Sequence, residues 1–560
     1  MRKIKLPAVD KLQAAVARDF RGGLNTFDSP LNLNSKYLTD VRNLSPDSNG
    51  KLSVRYGTSP FADVEEDQAT TAAIDEIIGM EYYAGALVVV GANGKIVTVD
   101  ASGVVNLRWS TAIAALLPGA PAGWTNPITY TSFTQFAGQL IICNGVDKPV
   151  TMDELYAVTY VQDPVSGTNT NTPRAKYCTT HDGHLVLAVT PTDTYTVYVS
   201  GQGVTSFDPD ASTNGANMDT AIYIDRGVPV ITGLATYRDR LVVTYQEAIL
   251  AIQFILPTSA PVEFDVTDIV SGYGAVSHKA ITVIGDDMLV LDTSGVISIK
   301  RTALGTDFIP EPASSLINTD VQRALARFSN TQLTEHVFSV HDRIAHQIQL
   351  FIPVIDTVTA TTQNDVFVYC YDKSQRFKAW TRYDAMPYRA ACKTTEGRIF
   401  YGAGTSVRYY HNAYEPRYTD VGIVGQQNWD DGDAWDDGTG WEEGYTETPI
   451  SFYMNMPWAD FKQPLNNKMS KYLSTFSEGT GSYTVDMYVD EFTTPSLSMF
   501  FMQESGPHAA SYEHRPPNNE QLYAWPQKFM RMRFRISGST SSAFSIIAVG
   551  ILYLTGSVRR

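Results

Sequence analysis

Cysteine is scarce: 560 residues contain four, Cys143, Cys178, Cys370 and Cys392, widely separated and without a C-x-x-C pair. This scarcity argues against a disulfide-stapled scaffold and a thiolate zinc site, and suits buried free thiols in a reducing compartment. Long apolar runs are also missing. The longest near the C-terminus, residues 546–554, falls well short of the ~18 residues a membrane-spanning helix needs. Near the N-terminus Asp10 and Lys11 interrupt any apolar core of a secretory signal, so export by that route is not expected. Charged residues make up only 18% of the chain, and 59 acidic against 43 basic side chains leave a net charge of −16. Gripping nucleic acid through phosphate neutralisation is therefore disfavoured.

Catalytic signatures are absent as well. The chain has no phosphate loop, dinucleotide-binding glycine turn, H-E-x-x-H zinc helix or G-x-S-x-G nucleophile elbow. His181 and His184 flank a turn as H-D-G-H, but two imidazoles without a third ligand make a poor metal site. His341 and His346 are in the same position. No enzyme activity, cofactor or metal is expected.

What the chain does have is 43% hydrophobic residues, 31 tyrosines, 24 phenylalanines and 40 glycines, in short apolar segments punctuated by Gly, Asn and Asp. This composition predicts an all-β protein with a large core. Two stretches look helical: residues 8–19, with apolar Leu12, Ala15 and Val16, and residues 321–328, which Asn318, Thr319 or Asp320 would cap.

A repeat dominates the middle of the chain. Residues 83–90 (YAGALVVV), a GANG turn and residues 95–100 (KIVTVD) are tracked by residues 136–143 (FAGQLIIC), an NG turn and residues 148–153 (KPVTMD). Asn93–Gly94 reads as a hairpin turn in which both residues take positive φ. Weaker copies follow at 182–189, 238–244, 286–291, 342–352 and 396–401. Anchored on positions 85, 138, 183, 239, 287, 342 and 397, the copies recur at intervals of 45 to 56 residues. Each interval holds about four short strands, the length of a propeller blade. A plain sandwich would show no such superperiod, so the expectation is a β-propeller of about six to eight blades over residues 61–425, after an N-terminal arm and lead-in at 1–60. Apolar strands such as 87–90 and 241–243 would be its inner strands.

Residues 426–448 change character, with a Trp-acidic-acidic-Gly unit at Trp429, Trp435 and Trp441. This reads as a linker loop whose indoles lie against a neighbouring surface. Asp430, Asp431, Asp433, Asp436 and Asp437 offer oxygen ligands, but not in the EF-hand register, and a solvated acidic loop is the simpler reading. Residues 449–560 then form a C-terminal β-sandwich-like domain.

Residues 20–33 (FRGGLNTFDSPLNL), 40–43 (DVRN) and 50–57 (GKLSVRYG) resemble the opening of the tail nozzle proteins of short-tailed bacteriophages, also called tail tubular or DNA stabilisation proteins. Further matches are residues 230–244 (VITGLATYRDRLVVT), 274–281 (GAVSHKAI), 289–297 (LVLDTSGVI) and 366–372 (VFVYCYD) running into Trp380 and Thr381. Their order along residues 20–410 carries the resemblance. It implies a structural virion protein of the viral tail, assembled in the bacterial cytoplasm. The subunit would join a hexameric ring below the portal adaptor protein, with double-stranded DNA passing through the ring without sequence-specific binding and tail fibres as further partners. The family has no catalytic motif to carry over. An acidic ring lumen would let phosphates slide rather than stick. Arg2, Lys3 and Lys5 form a basic arm that either docks on an acidic neighbour or frays as a chain end. The alternative is a glycan-binding or glycan-cleaving propeller with Trp429, Trp435 and Trp441 as sugar platforms.

Overall fold

The computed structural model describes residues 12–67, 72–115, 123–162, 171–207, 215–224, 229–255, 262–285, 287–301, 308–355, 362–372, 377–423, 445–459, 468–490, 494–495, 497–503, 512–514 and 530–555. Seven four-stranded antiparallel sheets follow one another along the chain. In each, the first strand packs beside the first strand of a neighbouring sheet, and that of the seventh lies against that of the first, closing a circle. The domain is a seven-bladed propeller.

Blade 1 comprises Ile77–Tyr83, Ala86–Gly91, Ile96–Val99 and Val105–Trp109, and blades 2 to 6 repeat the plan from Ser132–Phe136 through Lys378–Tyr383. Blade 7 is composite. Its first three strands are Ala390–Lys393, Ile399–Ala403 and Ser406–Tyr410, and its fourth is Thr58–Asp63 from the start of the chain. Tyr410 pairs with Thr58 and Ser406 with Asp63, so one ladder both closes the ring and brings together the two ends of the propeller.

The repeat anchors mark one feature, the turn between the first and second strands of a blade. Three of these turns, Ala84–Gly85, Ala137–Gly138 and Asp182–Gly183, hold both central residues at positive φ, as a two-residue hairpin loop matching strand twist requires. At Asn93–Gly94 only Gly94 has positive φ. Asn93 acts there through its side chain, accepting from the Lys95 N–H at 3.2 Å and donating to the Ala73 carbonyl at 2.8 Å. Strands 87–90 and 241–243 are second strands, one place out from the axis, and not the innermost. Their consecutive apolar residues follow from burial on both faces between adjacent blades.

A β-sandwich holds the propeller. One sheet runs in the order Tyr512–His514, Lys468–Gly479, Phe544–Thr555, Leu52–Val54, Leu44–Pro46; the other in the order Thr419–Ile423, Tyr445–Asn455, Met532–Thr540, Gly481–Val489, Leu497–Gln503. Their inner faces meet where Phe544 stacks 5.2 Å from Phe452 and lies 5.4 Å from Tyr483. The described part of residues 1–60 is therefore not a separate lead-in. Leu44–Pro46 and Leu52–Val54 belong to the first sheet, Asp40–Arg42 pairs with Tyr445–Asn455, and Leu12–Ala17 pairs with Phe544–Thr555. The propeller is an insertion in this sandwich.

Leu12–Ala17 corrects the helix expected over residues 8–19: its described part is a strand, registered from Leu12 on Leu554 to Ala17 on Val549. A helix of that length is marginal in water, and an open strand edge supplies a full ladder instead. The second expected helix exists as Asn318–Leu325, and Ile317 occupies its N-cap without a side-chain hydrogen bond. A further helix, Asn330–His336, starts with a capping box between Ser329 and Gln332.

The largest core joins the two domains. It packs Phe20, Leu24, Val41, Leu44, Leu52 and Val54 against Leu289, Leu291 and Val296 of blade 5 and Phe367 and Trp380 of blade 6. Trp380 donates its indole N–H to the Ala313 carbonyl at 2.9 Å. No helix among the described residues is long and apolar enough to cross a membrane.

Candidate functional site

Arg2, Lys3, Lys5, Trp429, Trp435 and Trp441 lie outside the described residues, as does the acidic run between the tryptophans. The histidines lie within them. His181 and His184 are register partners across a hairpin, and each packs edge-on against Phe254, at 4.8 and 5.7 Å. His184 Nδ1 bonds the Ser200 carbonyl oxygen at 2.7 Å, and burial pushes the His181 pKa down. These are packed core imidazoles. His341 Nε2 bonds the Tyr371 hydroxyl at 2.6 Å. No group of three or more His, Cys, Asp or Glu side chains stands at metal-binding spacing among the described residues. All four cysteines are buried, which pushes the thiols of Cys143, Cys370 and Cys392 up, away from nucleophilic thiolate.

A cavity of about 200 Å3 near the axis is lined from five of the seven blades, by Gly79 and Glu81 of blade 1, Thr131 and Phe133 at blade 2, Lys279 before blade 5, Phe338 of blade 6 and Arg389 before blade 7. Polar side chains gather where the first strands begin. Lys279 Nζ donates to the Ile78 carbonyl at 3.3 Å and sits 4.7 Å from the Tyr130 ring centroid; Lys176 Nζ lies 4.9 Å from the same centroid. Two ammonium groups thus share one aromatic ring, an attraction that grows as water is excluded. Arg389 pairs with Glu76 and donates to His336 Nδ1 at 3.0 Å, while Glu335 accepts from the Thr129 hydroxyl at 2.9 Å.

Lys279 is surrounded by protein atoms yet keeps partial solvent contact, as expected of a channel wall. Burial, then Lys176 and Arg389, push its pKa down to about 7, against the pull of Glu335. Burial also lowers Lys176, with Glu335 opposing. Burial and Lys279 together push His278 down to about 4, so its neutral Nδ1 accepts the Leu234 N–H at 3.1 Å. Farther along blade 1, burial pushes Glu81 up to about 7 despite Lys393. The Thr131 hydroxyl is buried on the cavity wall without a partner among the described residues.

The sequence reading missed this ring, although a signal was present. Glu76, Tyr130, Lys176, Lys279 and Arg389 each stand seven to nine residues before a repeat anchor. A constant offset from a repeated turn puts residues at one level of the propeller axis.

No protein-family model and no curated protein matches the chain. Among solved structures, a streptogramin B lyase aligns at 10% identity over 64% of this chain and 98% of its own, with a TM-score of 0.38. The Cps50 (Swd1) β-propeller domain of Myceliophteria thermophila aligns at 9% identity over 61% and 98%, with a TM-score of 0.36. A chain of the mitotic checkpoint complex aligns at 10% identity over 64% and 97%, with a TM-score of 0.37. The strand pairing described above places this chain among β-propeller proteins.

Proposed function

We propose that this protein is a structural, non-catalytic subunit of a ring-forming tail nozzle of a short-tailed bacteriophage, through which the genome is retained and then released. One observation carries the reading. The fragments that resemble the nozzle family are scattered over residues 20–410, yet most converge on one place, the core between sandwich and propeller. Phe20, Leu24, Val41, Leu52 and Val54 come from the opening fragments, Leu289, Leu291 and Val296 from blade 5, and Phe367 and Trp380 from blade 6. The shared signature therefore specifies how two domains are locked together, as a mechanical part requires, and does not outline a reaction centre.

DNA would pass between copies and not through a propeller. The major groove of a duplex alone is about 12 Å wide, far beyond what an axial cavity of about 200 Å3 admits. The net charge of −16 suits a lumen that repels phosphate.

Electron microscopy and light scattering of the purified full chain, alone and with a portal–adaptor complex, test this. A closed ring with a through-channel, or ring formation on the adaptor, supports the nozzle. A protein that stays monomeric with the adaptor present, or that releases reducing sugar from surface glycans, overturns it.

A further inference from the structure

We propose that the mouth of the propeller's axial cavity, lined by Lys279 and Arg389 with Lys176 beside them on the Tyr130 ring, is a binding site for a small oxyanion. The proposal is independent of the nozzle reading, since it concerns a single protomer.

The two lysines carry the argument. Both approach the Tyr130 ring, and neither has a carboxylate at ion-pair distance among the described residues. Of the nearby acids, Glu76 is taken by Arg389, Glu335 accepts from the Thr129 hydroxyl while acting on both lysines from beyond ion-pair distance, and Glu81 lines the same cavity. Burial first, and then repulsion from Lys176 and Arg389, depress Lys279. An anion between them would relieve the repulsion and accept their N–H bonds.

The cavity also has room for a ligand. The volume of about 200 Å3 equals that of roughly seven water molecules at about 30 Å3 each. That accommodates a hydrated tetrahedral anion and excludes a folded peptide or a duplex.

The experiment is calorimetric titration of the full chain with inorganic phosphate in chloride buffer at constant ionic strength. Sulfate and acetate arms separate a tetrahedral oxyanion from a carboxylate. Saturable binding is expected, weakened about tenfold or more by Lys176→Met and by Lys279→Met, and retained in Lys279→Arg. If Lys279→Met does not fold, Lys176→Met carries the same expectation. Sulfate does not titrate near neutrality, so its binding should take up protons and weaken as pH rises from 6 to 9. The titratable and charged groups around Lys279 there are Lys176, Arg389, Glu335, His278 and His336, with Glu81 on the same cavity wall losing its own proton near pH 7 and adding to the weakening. Absence of saturable heat with all three anions, or heat unchanged in the lysine variants, overturns the proposal.

Discussion

Arg55 and Asp420, 365 positions apart, form a two-pronged ion pair at the point where the chain enters and leaves the propeller, with Nη2 to Oδ2 at 2.6 Å and Nη1 to Oδ1 at 3.3 Å. The Arg55 side chain is 1% exposed and that of Asp420 26%. Nε of Arg55 donates to Asn43 Oδ1 at 3.0 Å, and Asp420 Oδ1 accepts both the N–H and the hydroxyl of Thr58 at 3.1 Å. Burial opposes the guanidinium charge, but the Asp420 carboxylate outweighs it and raises the Arg55 pKa. One carboxylate thus ties the sandwich strand Thr419–Ile423 to Thr58–Asp63, the strand that completes blade 7.

Asp420→Ala strands a buried guanidinium and removes the Thr58 acceptor. Breaking such a pair costs about 3–5 kcal/mol, and the partial exposure of Asp420 puts the expectation near the lower end. Urea unfolding followed by tryptophan fluorescence measures it; a loss below about 1 kcal/mol would show that water replaces the carboxylate.

Trp380→Ala removes the indole between Tyr369, whose ring lies 5.0 Å away, and the Ala313 carbonyl. Aromatic truncation in a core costs about 3–5 kcal/mol. Because this core spans both domains, their unfolding transitions should separate in calorimetry, whereas a single sharper transition would contradict the shared core.

Gly79→Ala has no room for its methyl group, since a Cβ would meet Thr131 Oγ1 at 1.9 Å and Phe133 Cε2 at 2.9 Å. Overpacking of this kind costs about 1–3 kcal/mol. Adding Thr131→Ala should restore much of the loss, and a double-mutant cycle in thermal unfolding reads the coupling directly.

Glu81→Gln has an effect whose size depends on pH. The folded chain holds the Glu81 proton up to about pH 7, while the unfolded chain releases it at the usual carboxylate pKa. Stability contributed by the protonated form is complete below that pKa and is lost as pH rises through about 7. The variant should match the parent at pH 4 and exceed it at pH 8 by up to about 3 kcal/mol. Denaturant midpoints at the two pH values provide the check, and an equal gain at both would rule out ionisation as the cause.

The repeat was legible because tight turns between strands draw Gly, Asn or Asp, with Ala84–Gly85, Ala137–Gly138 and Asp182–Gly183 holding both central residues at positive φ, and recurrence at blade length multiplied the signal. Leu12–Ala17 was misread because its Ala-rich composition favours a helix locally, while the strand exists only through its partner 549–554. Arg2, Lys3, Lys5 and the three tryptophans were chosen as isolated features of composition. The axial ring of Lys176, Lys279 and Arg389 went unread because charges distant in sequence look solvated until a closed circle sets them facing one another.

The amino-acid order alone determined the all-β class, the blade-length repeat and the second domain, because turn chemistry and apolar runs act over a few residues. Only the tertiary structure decided that Thr58–Asp63 completes the last blade, that the opening strands belong to the closing sandwich, and that two half-buried lysines share one tyrosine ring. Those arrangements depend on contacts hundreds of residues apart, where ring closure and burial set the energetics and no local pattern records the partner.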